Sequence, residues 1–237
     1  MLTPSSNTTL EPVTAAMLSG LPDVSVHFGR FRVTEIALSA RALGQFGDEP
    51  MLAAADLLAD AHCHSICWNG TSAGWLGFEA DRKLCAAITA RTGIAACSSV
   101  LAIDEIFRQT GVKRFAMVTP YTDDVQSKII ATFAAEGFEC VAEQHERLSV
   151  NFSFSEVEPG VIEAGIRAVA KAKPDAILVF CTNMDGASLA ERSSPVALES
   201  MRSCTTSPIG IRASAGAAAS SSDTTPDMVR HSKGFST

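Results

Sequence analysis

Two short stretches carry residue types suited to acid–base chemistry beside a carboxylate. Residues 67–75 read CWNGTSAGW and residues 180–183 read FCTN. In each, an apolar run ends in small polar residues, as where a strand delivers its C-terminal end to a ligand. Cys181 is the one thiol at such an end that faces a polar turn. There it can donate a proton, or become partly thiolate if helix N-terminal N–H groups point at it. The plainer reading is a buried structural thiol. The matching position in the first stretch, Gly70, has no reactive side chain. Around these two points the chain offers neutral donors: Ser5, Ser6 and Asn7, then Thr71 and Ser72, then Tyr121 and Thr122, then Thr182 and Asn183. Hydroxyls, amides and helix N-termini suit carboxylate oxygens. Thr71 and Ser72 also fit as caps of a following helix, and Tyr121 fits equally as an exposed turn residue. Asp123 and Asp124 are placed by the dipole in a helix's first turn.

Elements that could position these residues alternate along the chain. Strands are expected over 24–31, 63–68, 113–120, 138–144 and 175–182, from short β-rich apolar runs. Helices are expected over 48–61 with Asp48 as N-cap, 79–92 closed by Gly93, 98–110 closed by Gly111, 123–136 ended by Gly137, and 161–173 with Pro174 just beyond. Alternation of this kind implies an α/β fold with mostly parallel sheets flanked by helices.

The pattern also repeats. Leu2-Thr3-Pro4-Ser5-Ser6-Asn7 parallels Val118-Thr119-Pro120-Tyr121-Thr122-Asp123, and the run from Ile66 to Ser72 parallels Ile177 to Asn183. Two matches in the same order point to two related halves, each presenting two polar strand ends. Facing each other, they would enclose a cleft lined by the donors above. Gly70 would then leave room for a substrate substituent. The division expected is a first α/β lobe over 1–112, a second over 113–200, and a divergent or disordered tail over 201–237. That tail is rich in Ser, Ala and Thr and has no convincing period.

Composition narrows the function. The chain has 237 residues, 46% hydrophobic and 19% charged, with formal net charge −7. That is ordinary for a globular protein, and an acidic balance argues against nucleic acid as a partner. The N-terminus lacks the pattern of a signal peptide and no run is long enough to span a membrane, so a cytoplasmic location without membrane partners is expected. Seven scattered cysteines fit reduced thiols. His62-Cys63-His64-x-x-Cys67 resembles a ligand cluster, but alternation along a strand sends its histidines and cysteines to opposite faces, so no metal is expected. Cys85, Cys97 and Cys140 are expected to be packing residues. Trp75 and Phe78 either wall the pocket or fill the core.

The opening TPSSNTTLEP resembles the start of maleate cis-trans isomerases. The pair GTS and FCTN, with VTPYTDDV between them, is similar to the aspartate/glutamate racemase superfamily, which includes arylmalonate decarboxylases. The resemblance spans Leu2 to Ala190. It implies two pseudo-symmetric Rossmann-like lobes with the active site between them, and cofactor-free chemistry at the carbon next to a carboxylate. Racemases and maleate isomerases carry one cysteine per lobe. Here the second matches Cys181 and the first matches Gly70, the arylmalonate decarboxylase pattern, whose mid-chain tyrosine matches Tyr121. Thr182 and Asn183 after the cysteine look more like the isomerases. The resemblance thus implies a decarboxylase of small, substituted malonate-like dicarboxylates, with Cys181 protonating an enediolate and Ser6, Asn7, Gly70, Thr71, Ser72, Tyr121, Thr122, Thr182 and Asn183 binding substrate. The alternatives are a maleate isomerase or an Asp/Glu/hydantoin racemase-like isomerase, and a non-catalytic carboxylate binder. Self-association is also expected. The strand and helix that usually complete the first lobe are not visible after Pro195, through divergence or a disturbed reading frame.

Overall fold

A computed structural model describes residues 1–192 and 210–213. The first half runs β1 (Leu2–Pro4), α1 (Leu10–Leu18), β2 (Gly29–Phe31), α2 (Ala40–Leu43), α3 (Asp48–Asp60), β3 (Ser65–Trp68), α4 (Ala73–Leu76), α5 (Phe78–Thr92), β4 (Ala95–Ser98) and α6 (Ser99–Thr110). The second runs β5 (Arg114–Thr119), α7 (Asp123–Ala135), β6 (Glu139–His145), α8 (Pro159–Ala170), β7 (Ala176–Val179), α9 (Ala187–Arg192) and β8 (Gly210–Ala213).

Each half forms its own four-stranded sheet, in the orders β2-β1-β3-β4 and β6-β5-β7-β8. The first is parallel throughout. In the second only β8 runs antiparallel, against β7. β1 and β5 therefore occupy the same inner position, as do β3 and β7, so the repeated sequence segments fall on equivalent strands. Helices flank both sheets, the α/β architecture that the alternating pattern implies.

Several boundaries differ from the sequence expectation for physical reasons. Only 29–31 of the expected strand 24–31 pairs, because its partner β1 is three residues long. Asp48 lies inside the first turn of α3, and Gly47 is the cap. An additional strand, β4, precedes α6. Its last residue, Ser98, caps that helix, accepting from Leu101 N at 3.1 Å. Gly93 and Gly111 close α5 and α6 with φ of 72° and 74°, left-handed values that glycine adopts without a Cβ penalty. The expectation of loop or disorder after 200 fails at Gly210–Ala213, which forms β8. The remainder of that tail lies outside the described residues. Among those residues, no helix is long and apolar enough to cross a membrane.

One continuous core joins the halves. Phe78 of α5 meets Phe133 of α7 edge-on with centroids 5.1 Å apart, and Phe133 meets Phe180 at 5.4 Å. Gly74 of α4 allows the closest approach: a Cβ there would lie 2.6 Å from the Phe180 ring. This seats the turn after β3 directly against the residue preceding Cys181. Packing that dense makes the position of that cysteine relative to the first half a property of the core.

Candidate active site

Four strand ends converge. β1 leads into Ser5–Asn7, β3 into Asn69–Ser72, β5 into Tyr121, and β7 into Phe180–Asn183. The Tyr121 hydroxyl is the central link. It lies 2.7 Å from Thr71 Oγ1 and near enough to the Cys181 thiol for the two groups to shift each other's acidity. A residue from the first half and two from the second thus form one chain, Thr71–Tyr121–Cys181. Cys181 is 3% exposed and Tyr121 2%, so Tyr121 is not the exposed turn residue of the plainer reading. Trp75 packs edge-on against the Tyr121 ring at 5.4 Å and Phe154 does so at 5.5 Å, fixing the phenol's orientation.

Electrostatics keep both groups protonated. Burial pushes the Cys181 thiol up to about 11, with partial relief from hydrogen bonds from Tyr121 and the backbone N–H groups of Asn183 and Met184. The Asn183 N–H lies 3.4 Å from the sulfur. Burial also holds the Tyr121 phenol well above its ordinary range, reinforced by the neighbouring sulfur. At neutral pH the pair is a thiol and a phenol, an acid-bearing site rather than a nucleophilic thiolate.

The other expected residues divide into groups. Thr182 is drawn in: its Oγ1 accepts from Asn7 Nδ2 at 3.2 Å and donates to the Asn69 carbonyl at 3.5 Å. Ser72 is buried at the head of α4. Asn7, Asn183 and Ser6 are engaged in holding the two halves together. Asn7 Oδ1 accepts from the N–H groups of Thr9 and Leu10 at the start of α1, while Asn183 Oδ1 accepts from Thr8 N at 2.9 Å. Asn183 Nδ2 donates to the Asn151 carbonyl at 2.6 Å, and Asn151 Nδ2 donates to Ser6 Oγ at 2.7 Å. Ser6 in turn donates to Val33 O at 2.6 Å, an acceptor that Ser5 Oγ reaches at 3.4 Å. Thr122 is not brought in. Its hydroxyl donates to Asp124 at 2.6 Å, at the N-terminus of α7.

Gly70 corrects an expectation. The space beside it is not left open for a substituent. A Cβ built on Gly70 would lie 2.2 Å from Cζ2 and 2.4 Å from Cη2 of Trp68, which is fully buried. The indole fills the place where a first-half side chain would stand. Phe31 braces that indole with centroids 5.2 Å apart. Trp68 thus shapes the site although sequence reasoning passed over it, and so do Asn69 and Asn151. The signal for Trp68 was present, since in C-W-N-G a bulky ring two residues before a glycine can fold back over it. Asn151 begins a short 3₁₀ turn, and its local sequence carries no such signal.

Cys97 is exposed rather than a packing residue, whereas Cys85 is buried and Cys140 half-buried. Among the described residues, no group of three or more His, Cys, Asp and Glu side chains is arranged to hold a metal ion.

With this geometry in place, comparison with known proteins is informative. A maleate isomerase from Geobacillus stearothermophilus is 25% identical over 195 residues, covering 78% of this chain and 77% of the relative. The fold matches that of Nocardia farcinica maleate cis-trans isomerase. That structure is a cysteine-to-serine variant with a covalently bound succinylcysteine intermediate; its TM-score is 0.73 at 24% identity, over 81% of each chain. It also matches a liganded arylmalonate decarboxylase carrying a glycine-to-cysteine and a cysteine-to-serine substitution, with TM-score 0.65 at 19% identity over 77% and 76% of the two chains. The family pattern of arylmalonate decarboxylases extends over residues 31–231, past Ala190 where the sequence resemblance was expected to end. Two similar sheets, a cysteine at the end of the third strand of the second sheet, and a family match over most of the chain converge: this protein is an enzyme of the arylmalonate decarboxylase family, within the aspartate/glutamate racemase superfamily.

Proposed function

We propose that this enzyme decarboxylates a small substituted malonate-like dicarboxylate without a cofactor, with Cys181 as the proton donor. The observation that carries this reading is the Thr71–Tyr121–Cys181 chain set opposite a glycine whose side-chain space Trp68 occupies. One face of a planar intermediate then meets a thiol and the other meets an indole. Racemisation by two bases needs an acid or base on each face. Protonation from one side needs only one.

The residues take the following roles. Thr71 and Tyr121, which hydrogen-bond each other in the free protein, turn their hydroxyls to the carboxylate that is retained. The bond from the α-carbon to the other carboxylate breaks and CO2 leaves. The electron pair delocalises into the retained carboxylate as an enediolate, where the two hydroxyls and the N–H groups after β3 and β7 stabilise the developing charge. Cys181 then gives its proton to the α-carbon, and the thiolate takes a proton from water. A thiol held near 11 suits this step, because it is protonated at the outset and is far more acidic than the carbon it protonates. Asn7, Asn183 and Ser6 tie residues 1–112 to the described residues 113–192, as two lobes that meet at the site.

A second reading, maleate isomerisation, is favoured by Thr182-Asn183 after the cysteine and by the Geobacillus relative. Incubation with disubstituted malonates and with maleate, following CO2 and fumarate separately, distinguishes the two. CO2 release abolished by Cys181→Ala supports the decarboxylase. Fumarate without CO2 replaces it with the isomerase. Neither product, with no thermal shift from any dicarboxylate, removes both.

A further inference from the structure

We propose that Cys67 and Cys97 form a reversible, peroxide-sensitive disulfide on the first sheet, a redox modification site separate from Cys181. The two residues are direct partners in the parallel β3–β4 register, one position ahead of the Trp68–Ser98 pair. Register partners on neighbouring strands project to the same face about 4.8 Å apart. That separation falls inside the Cα range of roughly 4.4–6.8 Å that a disulfide spans. Both thiols are free, and they lie near enough to perturb each other's acidity.

The pair is chemically asymmetric. Cys97 is exposed and Cys67 half-buried. The Cys67 thiol beside it is the first cause drawing Cys97 down to about 7, and the same pairing, followed by burial, raises Cys67 well above the ordinary thiol range. Near neutral pH, Cys97 is therefore substantially thiolate and open to solvent, the condition for attack on a peroxide. Cys85, Cys140 and Cys181 lack that condition, since burial pushes them up to about 12, 11 and 11. The steps balance with hydrogen peroxide as oxidant. The Cys97 thiolate attacks one peroxide oxygen, the O–O bond breaks, and the departing hydroxide takes a proton from solvent and leaves as water as Cys97 becomes a sulfenic acid. The Cys67 sulfur then attacks the Cys97 sulfur, the S–O bond breaks, and the departing hydroxide takes the Cys67 proton as a second water. Each sulfur has lost one electron and the peroxide has gained two. A dithiol reductant reverses the change.

The location gives the modification a consequence. Cys67 precedes Trp68, Asn69, Gly70 and Thr71, and Cys97 precedes Ser98 and Ser99. Ser99 Oγ donates to Asn69 Oδ1 at 2.7 Å, so the two strand ends already meet just behind the site. A disulfide two residues earlier on each strand would clamp β3 to β4 at the base of the turn that carries Thr71.

The test treats the full-length protein with equimolar hydrogen peroxide, alkylates the remaining thiols, digests without reduction and identifies cross-linked peptides by mass spectrometry. A Cys67–Cys97 linkage that dithiothreitol removes is expected. Cys97→Ser should abolish both the linkage and dimedone labelling at that position, whereas Cys67→Ser should leave a dimedone-reactive sulfenic acid trapped at Cys97. A linkage that joins other cysteines, or unoxidised Cys97 after treatment, overturns the proposal. The wild-type protein supplies a second measurement that does not depend on the folding of a variant. Cys97 should react with iodoacetamide at pH 7 at least about tenfold faster than Cys181; equal rates would also overturn it.

Discussion

The two halves build the same strand end and finish it differently. After β7 comes Cys181, backed by Phe180 and approached by backbone N–H groups and the Tyr121 hydroxyl. After β3 comes Gly70, with the Trp68 ring folded over the space a side chain would take. The second half thus presents an acid and the first presents hydroxyls beside a flat apolar wall. Equivalent strands supply the frame, but the chemistry comes from breaking the equivalence at a single position. The most direct way to break the comparison further is to remove the acid. Cys181→Ala should lower turnover on the accepted dicarboxylate by roughly 10²–10⁴-fold, the range for loss of a positioned proton donor. Its thermal midpoint should move little, because the thiol packs as a small apolar group. Initial rates of product release with a melting curve on the same sample check both.

Charge is also handled differently in the two halves, at the surface in the second and in the core in the first. In the second, His145 lies between Asp123 at 2.6 Å and Glu143 at 2.7 Å, and Arg147 reaches Asp123 at 2.9 Å. In the first, Asp81 is 2% exposed, and among the described residues its Oδ2 has no partner. Burial raises this carboxyl from the ordinary 3.8 to about 7, with a Ser98 hydrogen bond opposing the rise. The folded form therefore holds its proton where the unfolded chain has lost it. Asp81 favours the fold fully below about pH 3.8, and that contribution is lost as pH rises to about 7. A shift of this size corresponds to at most roughly 4 kcal/mol. Asp81→Asn should remove this loss, raising the melting temperature at pH 8 by several degrees and changing it little at pH 4.5. An equal shift at both values would contradict a buried acid at this position.

A third perturbation restores the symmetry on purpose. By sequence alone, Gly70→Cys should return a second thiol and with it racemase- or isomerase-like activity. The indole changes that expectation. A Cβ at 2.2 Å from Cζ2 forces Trp68 to move within a packed core, an overpacking cost of about 1–3 kcal/mol. Gly70→Cys alone should lower stability by that amount in urea and gain no second activity. Paired with Trp68→Leu, the thiol has room, and two-sided chemistry should be detectable as racemisation of a chiral product. Full stability in the single variant would show that the indole yields more easily than its burial suggests.

How much of this was legible depended on whether the deciding interaction was local. The closures of α5 and α6 were, because Gly93 and Gly111 signal a left-handed cap within one turn of sequence. That the two halves present equivalent strand ends was legible through the repeated Thr-Pro and strand-end segments. β4 was not, because Ala95–Ser98 is short and built of small residues, and its strand state comes from pairing with β3. Nor was β8, whose four residues lie in a low-complexity stretch and, among the described residues, pair with β7. At the candidate site, Cys181, Thr71 and Tyr121 were singled out from residue type and position, and the structure brings them together. The roles of Asn7, Asn183 and Ser6 as ties between the halves, and the outward turn of Thr122, depended on contacts made across more than a hundred residues or on side-chain direction.

The smallest effect probes the link between the halves itself. Thr71 Oγ1 and the Tyr121 hydroxyl lie 2.7 Å apart, one from each half, and both are buried. Tyr121→Phe keeps the ring and its packing on Trp75 and Phe154 while removing the central oxygen. Turnover should fall by on the order of tenfold, the cost of about one hydrogen bond to a charge that develops in the transition state. Thr71→Val should fall similarly. If the two hydroxyls bind the same carboxylate as a unit, the double variant should be less impaired than the product of the single losses, with a coupling of about 0.5–3 kcal/mol. The urea midpoints of the same three proteins separate a lost structural tie from a lost catalytic one. A coupling that appears in stability but not in kcat would make the pair a seam between the halves and leave Cys181 without its donors. A coupling that appears in kcat would tie the hydroxyl end of the first half to the acid of the second in a single reaction.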